Sequence, residues 1–378
     1  MNKIIAILDK EYPPCHSFVD GMLTTILPQE KDIKLDLIVS KSDSFKVCRY
    51  KKATCLALLY PRRGIYRLLN IAKVFFLINI LKKKNKEKKI CLFVRNDPLF
   101  LLTCTFVKNK NIKLIFQSSF PHEVISGNFF KRFIAKMIYE ISKNKVDSLL
   151  AVSPKGLIRL KNLMPNVKKA EFIPLLSNKN PKVINFELAD KNEKVKFIYA
   201  GDHSKLRKLE VVIYAIIKSI NKGLFAEFKF IGGEQTDIIR LSNLPGAEKL
   251  IKKGILTFTQ KIPRNNLIDC YTNFDVGLCL IPPDKHYVEA SPTKLTEYLN
   301  SGLAVLASKG IELQEKIIEN SQAGLLCNWD VHSIANALIG ISANKQNLLN
   351  MKKKGFKYSN EILSYKNYVD IFKKLLVP

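Results

Sequence analysis

The chain has 378 residues, 47% of them hydrophobic, and carries 62 Lys and Arg against 33 Asp and Glu, a formal net charge of +29. That length exceeds one ordinary core and fits two lobes of comparable size, and the apolar content excludes a disordered chain. So large a positive surplus favours partners that bear phosphate, whether nucleic acid, an anionic membrane face or charged small molecules, without choosing among them. The eight cysteines include no CxxC and no Cys/His pair at zinc spacing. Cys91 and Cys279 lie in apolar runs, where buried reduced thiols are expected, so we expect a cytosolic protein.

The opening residues, MNKIIAILDKEYPP, lack the long apolar core of a signal peptide and predict a first β-strand. Further apolar runs follow at 35–40, 90–94, 113–117 and 148–153, and again at 196–201, 228–233, 256–260, 275–280 and 303–308. Continuous apolar strands separated by longer amphipathic segments imply parallel sheets covered on both faces. Residues 64–89 depart from this pattern as an apolar stripe, broken by Arg67 and Lys73 and followed by a dense basic cluster. Two readings stand: a core helix followed by a solvated turn, or a helix lying on an anionic membrane face. No stretch of about 18 uncharged apolar residues predicts a membrane span. The polar, proline-containing interval before residue 195 predicts a linker. We therefore expect a first lobe over 1–175, a linker over 176–194, a second lobe over 195–350, and closing helices over 351–378 that pack back on the first lobe.

The most informative stretch is 289–308, EASPTKLTEYLNSGLAVLAS. Ser291 and Pro292 suit a helix start and Gly302 suits its stop, so Glu289 is expected in the loop before a short helix and Glu297 about two turns inside it. The helix start offers unpaired N–H groups and a positive dipole end to a diphosphate, and a carboxylate can accept hydrogen bonds from vicinal hydroxyls. On spacing alone, two unrelated surface glutamates would look the same.

The whole string resembles the donor-site motif of glycosyltransferase family 4, a family with the GT-B fold: Glu289, seven residues, Glu297, then Gly302 and an apolar strand. SPTKLTEY is also similar to a variant found in members that act in bacterial surface-polysaccharide assembly. The resemblance implies an α/β protein with two Rossmann-like lobes and a cleft between them. It implies a retaining transferase that moves a sugar from a UDP- or GDP-sugar to a glycan acceptor, without a metal or other cofactor. On it, Glu289 contacts sugar hydroxyls, Glu297 the ribose, and the backbone at Ser291, Pro292 and Thr293 the diphosphate; Lys294 either adds charge there or is solvated. A second signature, strand, glycine, basic loop and helix, resembles FIYAGDHSKLRKLEVVIYA. It implies a donor-facing Gly201 and a phosphate-binding cation at Arg207 or Lys208, with Asp202 where the family usually has Arg. Gly233 resembles the end of a glycine-rich turn facing the donor, and Lys261 lies in the turn expected near the nucleobase. In the first lobe the resemblance is fainter, and the usual Gly-Gly is missing after the first strand. His122 is the candidate for the family's first-lobe histidine near the donor sugar, and Arg95 and Glu123 are candidates on the acceptor side. The charge and the stripe at 64–89 extend the expectation to a lipid-linked acceptor and a peripheral membrane location. The alternatives are a catalytically silent nucleotide-binding scaffold and a nucleic-acid-binding protein, the latter without a basic-aromatic recognition motif.

Overall fold

The computed structural model describes residues 3–14, 16–29, 33–40, 49–57, 66–84, 89–125, 127–177, 184, 186–187 and 193–376. Most of the expected linker (178–183, 185 and 188–192), and residues 64–65 and 85–88 of the basic segment, lie outside the described residues. The chain forms two compact units, Met1–Leu176 with Tyr365–Pro378, and Ser177–Ser364. The second crossing falls after Ser364 rather than at 350, so the helix Lys345–Glu361 belongs to the second unit.

The first unit holds eight strands: β1 (Lys3–Glu11), β2 (Lys34–Ser40), β3 (Arg49–Tyr50), β4 (Ala53–Ala57), β5 (Ile90–Arg95), β6 (Ile112–Ser118), β7 (Ser148–Ala151) and β8 (Lys169–Phe172). Their order in the sheet is β3-β4-β2-β1-β5-β6-β7-β8, and every pair is parallel except the short β3–β4 hairpin. All residues of β5 and β6 are buried, as strands covered on both faces must be. Cys91 and Cys279 are buried free thiols, as their apolar runs suggested. The C-terminal segment completes this unit's core: Phe372 packs on Phe18 and Phe93 at 6.1 and 5.7 Å between ring centroids, and Tyr365 Oη accepts the Leu176 N–H at 2.9 Å.

The apolar stripe forms the helix Tyr66–Lys84, which packs one face on the core through Val74 and Ile78, with Ile71, Leu77 and Leu81 partly buried against it. Leu68, Phe75, Phe76 and Ile80 stay exposed. The neighbouring helices Pro98–Val107 and Phe129–Ser142 add exposed Phe106, Phe129, Phe130 and Phe133, with Phe129 at 75%. Among the described residues, no helix is long and apolar enough to cross a membrane.

The second unit holds β9 (Val195–Ala200), β10 (Ala226–Gly233), β11 (Leu256–Gln260), β12 (Val276–Cys279), β13 (Ala304–Ser308) and β14 (Gly324–Cys327), all parallel, in the order β11-β10-β9-β12-β13-β14. The order reverses between β9 and β12, and in such sheets the carboxyl ends on either side of the reversal form a ligand crevice. Phe197 and Tyr199 of β9 share a core with the helices Leu209–Asn221 and Val331–Ser342. The opposite face is closed by the helix Thr293–Asn300, which carries the Glu297 motif. Tyr298 of that helix lies against Gly277, where a Cβ would come within 2.2 Å of its ring, and its hydroxyl accepts the Ala200 N–H at 2.9 Å. The helix ends in a Schellman arrangement. Leu303 N–H donates to Tyr298 O and Gly302 N–H to Leu299 O, with Gly302 at φ +74°, a backbone state that glycine adopts without strain.

Candidate active site

The site grows from the end of β9. Gly201 takes φ +147°, and a Cβ there would sit 3.2 Å from Lys294 Nζ, so the glycine makes room for the lysine. Lys294 occupies the first turn of the helix Thr293–Asn300. Its ammonium lies over the Tyr199 ring, 3.9 Å from the centroid, is shut off from solvent, and has no hydrogen-bond partner. Burial, followed by the field of Arg207, pulls its pKa down to about 7. A cation–π contact offsets part of the desolvation but leaves all three N–H donors unused.

Around it stand other donors in the same condition. His203 is fully buried among Tyr199, Phe230 and Phe258, and neither ring nitrogen has a partner. Burial, then Lys294, pushes its pKa down to about 4, so the ring is neutral near pH 7. Gly233 fits His203 closely: a Cβ on Gly233 would fall 2.2 Å from Nδ1. Gly232 takes φ +116° and lies so near Gly201 that a Cβ would meet its carbonyl oxygen at 2.6 Å. The glycine pair thus lets two backbone turns and a histidine occupy one small volume. Arg207 lays its guanidinium over the Tyr287 ring at 4.5 Å, and its Nε makes no hydrogen bond.

The two basic loop residues diverge. Lys208 pairs with Asp284 at 3.2 Å and sits at φ +49°, a left-handed conformation that is strained for a side chain other than glycine. Asp202, where an arginine was expected, turns back on its own loop: Ser204 donates to it from both N–H and Oγ, and Arg207 Nε stands 3.9 Å away.

Glu297 is engaged as well. Arg264 Nη2 donates to one carboxylate oxygen at 2.9 Å and Tyr271 Oη to the other at 3.3 Å. Burial raises its pKa, with Arg264 opposing the rise. A carboxylate has about four acceptor positions, so two remain for ligand hydroxyls. Glu289 is half-buried in the loop between β12 and the helix. The helix begins one residue later than expected: Pro292, not Ser291, holds the N-cap position, with no side-chain cap, and Thr293 is the first helical residue. Without a side-chain cap, the first amides of the helix are left for a ligand, apart from Leu295 N–H, which donates to Pro292 O. Lys261 is exposed in the turn after β11.

In the first unit, Arg95 is 2% exposed, pairs with Asp9 and contacts His16 Nε2 at 2.7 Å. Glu123 is buried and pairs with Arg159 at 2.7 Å. Both candidates therefore serve internal ion pairs at the carboxyl ends of β5 and β6. His122 begins the short helix His122–Ile125 and packs on Phe120 at 4.8 Å.

Of the predicted donor residues, the structure gathers Gly201, Arg207 and Lys294 at one point, sets Gly233 behind them, and turns Lys208 aside. The sequence reading missed His203, Tyr199, Tyr287, Arg264 and Tyr271. His203 was the easiest to find, standing two residues after the strand-end glycine. Arg264 stands next to the turn already expected near the nucleobase.

Two parallel-stranded α/β units, the second with a strand reversal between β9 and β12, define the doubly wound α/β class. Residues 181–358 match the family model of the glycosyl transferases group 1. The sucrose-phosphate synthase of Thermosynechococcus elongatus superposes with TM-score 0.73 at 16% identity, covering 100% of this chain and 98% of that one. Trehalose-6-phosphate synthase OtsA gives TM-score 0.70 at 11% identity over 100% of this chain and 99% of that one. TarM of S. aureus, in complex with Fondaparinux, α-GlcNAc-glycerol and UDP, gives TM-score 0.63 at 14% identity over 82% of this chain and 59% of that one. No curated protein sequence matches. At such identities the likenesses establish the fold, which is GT-B, and with the family-model match they support a glycosyltransferase.

Proposed function

We propose that the protein is a retaining glycosyltransferase that moves a sugar from a UDP- or GDP-sugar to a glycan acceptor in surface-polysaccharide assembly. The observation that carries this reading is the cluster of unsatisfied donors at the β9/β12 reversal: Lys294 Nζ, Arg207 Nε and the single N–H of the neutral His203 ring. Buried donors are rarely left without acceptors, and a diphosphate supplies acceptors and opposite charge together. In this scheme Arg207, Lys294 and the amides after Pro292 hold the diphosphate and stabilise its growing charge as the glycosidic bond breaks. Glu297 receives the ribose and Glu289 the sugar hydroxyls, and Lys261 lies toward the nucleobase. No metal is needed, because these cations do its work. The left-handed backbone at Lys208 supports Arg207 as the counterpart of the family lysine, since Lys208 then stands where the family has glycine.

The acceptor falls to the first unit, where His122 is the proposed catalytic histidine. Arg95 and Glu123 then shape that surface through their ion pairs instead of touching the acceptor. Exposed Leu68, Phe76, Phe106, Phe129 and Phe130, beside Lys82, Lys83, Lys131 and Arg132, support a lipid-linked acceptor reached from the inner face of the cell membrane.

The test is a thermal-shift panel of UDP, GDP, ADP and CMP on the wild type and Glu297→Ala. A ligand at a hundred times its Kd stabilises by about 2.7 kcal/mol. One diphosphate should stabilise the wild type and lose its effect in the variant, and donor turnover should follow with the matching nucleotide-sugar. No response in folded wild type would overturn the donor site; binding without turnover would identify a silent scaffold.

A further inference from the structure

Two apolar stripes face each other across a groove on the first unit. Leu68, Ala72, Phe75 and Phe76 recur every three or four residues along the helix Tyr66–Lys84, and Leu99, Leu102 and Phe106 do so along Pro98–Val107. That spacing puts each set on one side of its helix, and between the two sets lies a cavity of about 370 Å³. From Leu68 to Phe76 the lining extends about 12 Å along the helix axis. The hydrocarbon of one bilayer leaflet is roughly 15 Å deep.

A pocket for a polar molecule carries a few polar side chains that orient it. Thr103 is the one polar side chain among the described lining residues; it is 4% exposed, and its hydroxyl donates to Leu99 O at 3.0 Å. Leu68, Phe76 and Phe106 are 61%, 62% and 70% exposed, so apolar surface rims the groove as well as lining it. Exposed apolar area of this kind marks a contact with lipid or with protein. Charge separates the two. The first unit carries most of the net charge of +29, the helix Tyr66–Lys84 holds an arginine and several lysines but no acid, and Pro98–Val107 holds no charge at all. A second copy of the chain would bring like charge to this face, whereas an anionic bilayer surface attracts it.

We infer, resting on the membrane-facing acceptor proposed above, that this groove takes up a single hydrocarbon chain of an anionic membrane lipid. The protein then holds a lipid by its tail, beyond adsorbing to a charged surface. The probe is dansyl-undecanoate, one anionic chain kept below its micellar concentration, whose emission rises in an apolar site. The full chain is titrated with it in three forms: wild type; Ala72→Phe, whose ring fills the groove and keeps the face apolar; and Leu68→Asp/Phe76→Asp, which removes the apolar rim. Each form is also sedimented with vesicles of phosphatidylcholine, with and without phosphatidylglycerol.

Wild type should bind the probe saturably, one per chain. Ala72→Phe should weaken that binding about tenfold or more, because losing roughly two buried methylene groups is already worth that factor. It should still sediment with phosphatidylglycerol vesicles as wild type does, while the double aspartate variant loses both responses. No saturable probe binding, or binding unchanged in Ala72→Phe, would overturn the groove, and vesicle sedimentation of wild type would then keep the membrane-facing reading alive. Wild type that ignores both kinds of vesicle would overturn that reading and the lipid source with it, even if the probe bound. A wild-type dimer dispersed by Leu68→Asp/Phe76→Asp would replace the lipid with a second copy. The nucleotide response of every variant should match the wild type, so the donor site is judged separately.

Discussion

Lys294 should take up a proton when the donor binds. In the empty site its ammonium is buried against Tyr199 with no acceptor, and its pKa lies at about 7 instead of 10.5. A diphosphate placed against it would raise that pKa toward its ordinary value. From these two values, uptake per site should be about 0.1 proton at pH 6, about 0.5 at pH 7 and about 0.9 at pH 8. Affinity should weaken as pH rises through 7, approaching about tenfold per pH unit. A nucleotide-sugar is the proper probe, because its bridging diphosphate has no group titrating in this range. Isothermal titration in buffers of different ionisation enthalpy reads the uptake directly. His203, neutral here, contributes little at pH 8 because its pKa starts at about 4. Lys294→Arg should bind without uptake at pH 8, because a guanidinium stays charged throughout. Tight binding to wild type at pH 8 with no proton uptake would refute the argument.

Other outcomes follow from the same geometry. Lys294→Met should raise Tm near pH 7, by about 1–4 °C for each kcal/mol recovered from a buried cation, while abolishing the nucleotide response; differential scanning calorimetry checks the first and thermal shift the second. Lys208→Gly should relieve about 1 kcal/mol of left-handed strain and keep nucleotide affinity, whereas Arg207→Ala should lose affinity about tenfold or more, both measured by chemical denaturation and titration. Gly233→Ala should cost about 1–3 kcal/mol in urea unfolding, because its methyl group would overlap His203.

Much of the architecture was legible because parallel strands buried on both faces are written as unbroken apolar runs. β3, β4 and β8 were not, because polar residues interrupt them, and β14 was not, because only Leu325 to Cys327 form its apolar run. The donor helix was legible in its order of proline, glutamate and glycine, although Ser291 does not cap it. What stayed hidden was contact across long separations. Arg95 and Glu123 looked available for an acceptor, but their partners Asp9 and Arg159 lie 86 and 36 residues away along the chain. The helix Tyr66–Lys84 left two readings open because an apolar stripe does not reveal whether anything covers it. His203 was passed over because burial, which no local pattern signals, is what distinguishes it from a loop histidine.

The C-terminal segment imposes an order on biogenesis. Phe372 fills the space between Phe18 and Phe93, and Leu375 O accepts from Ser148 Oγ. The first unit therefore waits for residues made after Ser364, by which point all of Ser177–Ser364 has been made. On the ribosome the second unit can close first, and the first stays open at its aromatic core until the segment after Ser364 has emerged. A nascent chain stalled before Tyr365 should accordingly bind nucleotide while its first half remains sensitive to protease.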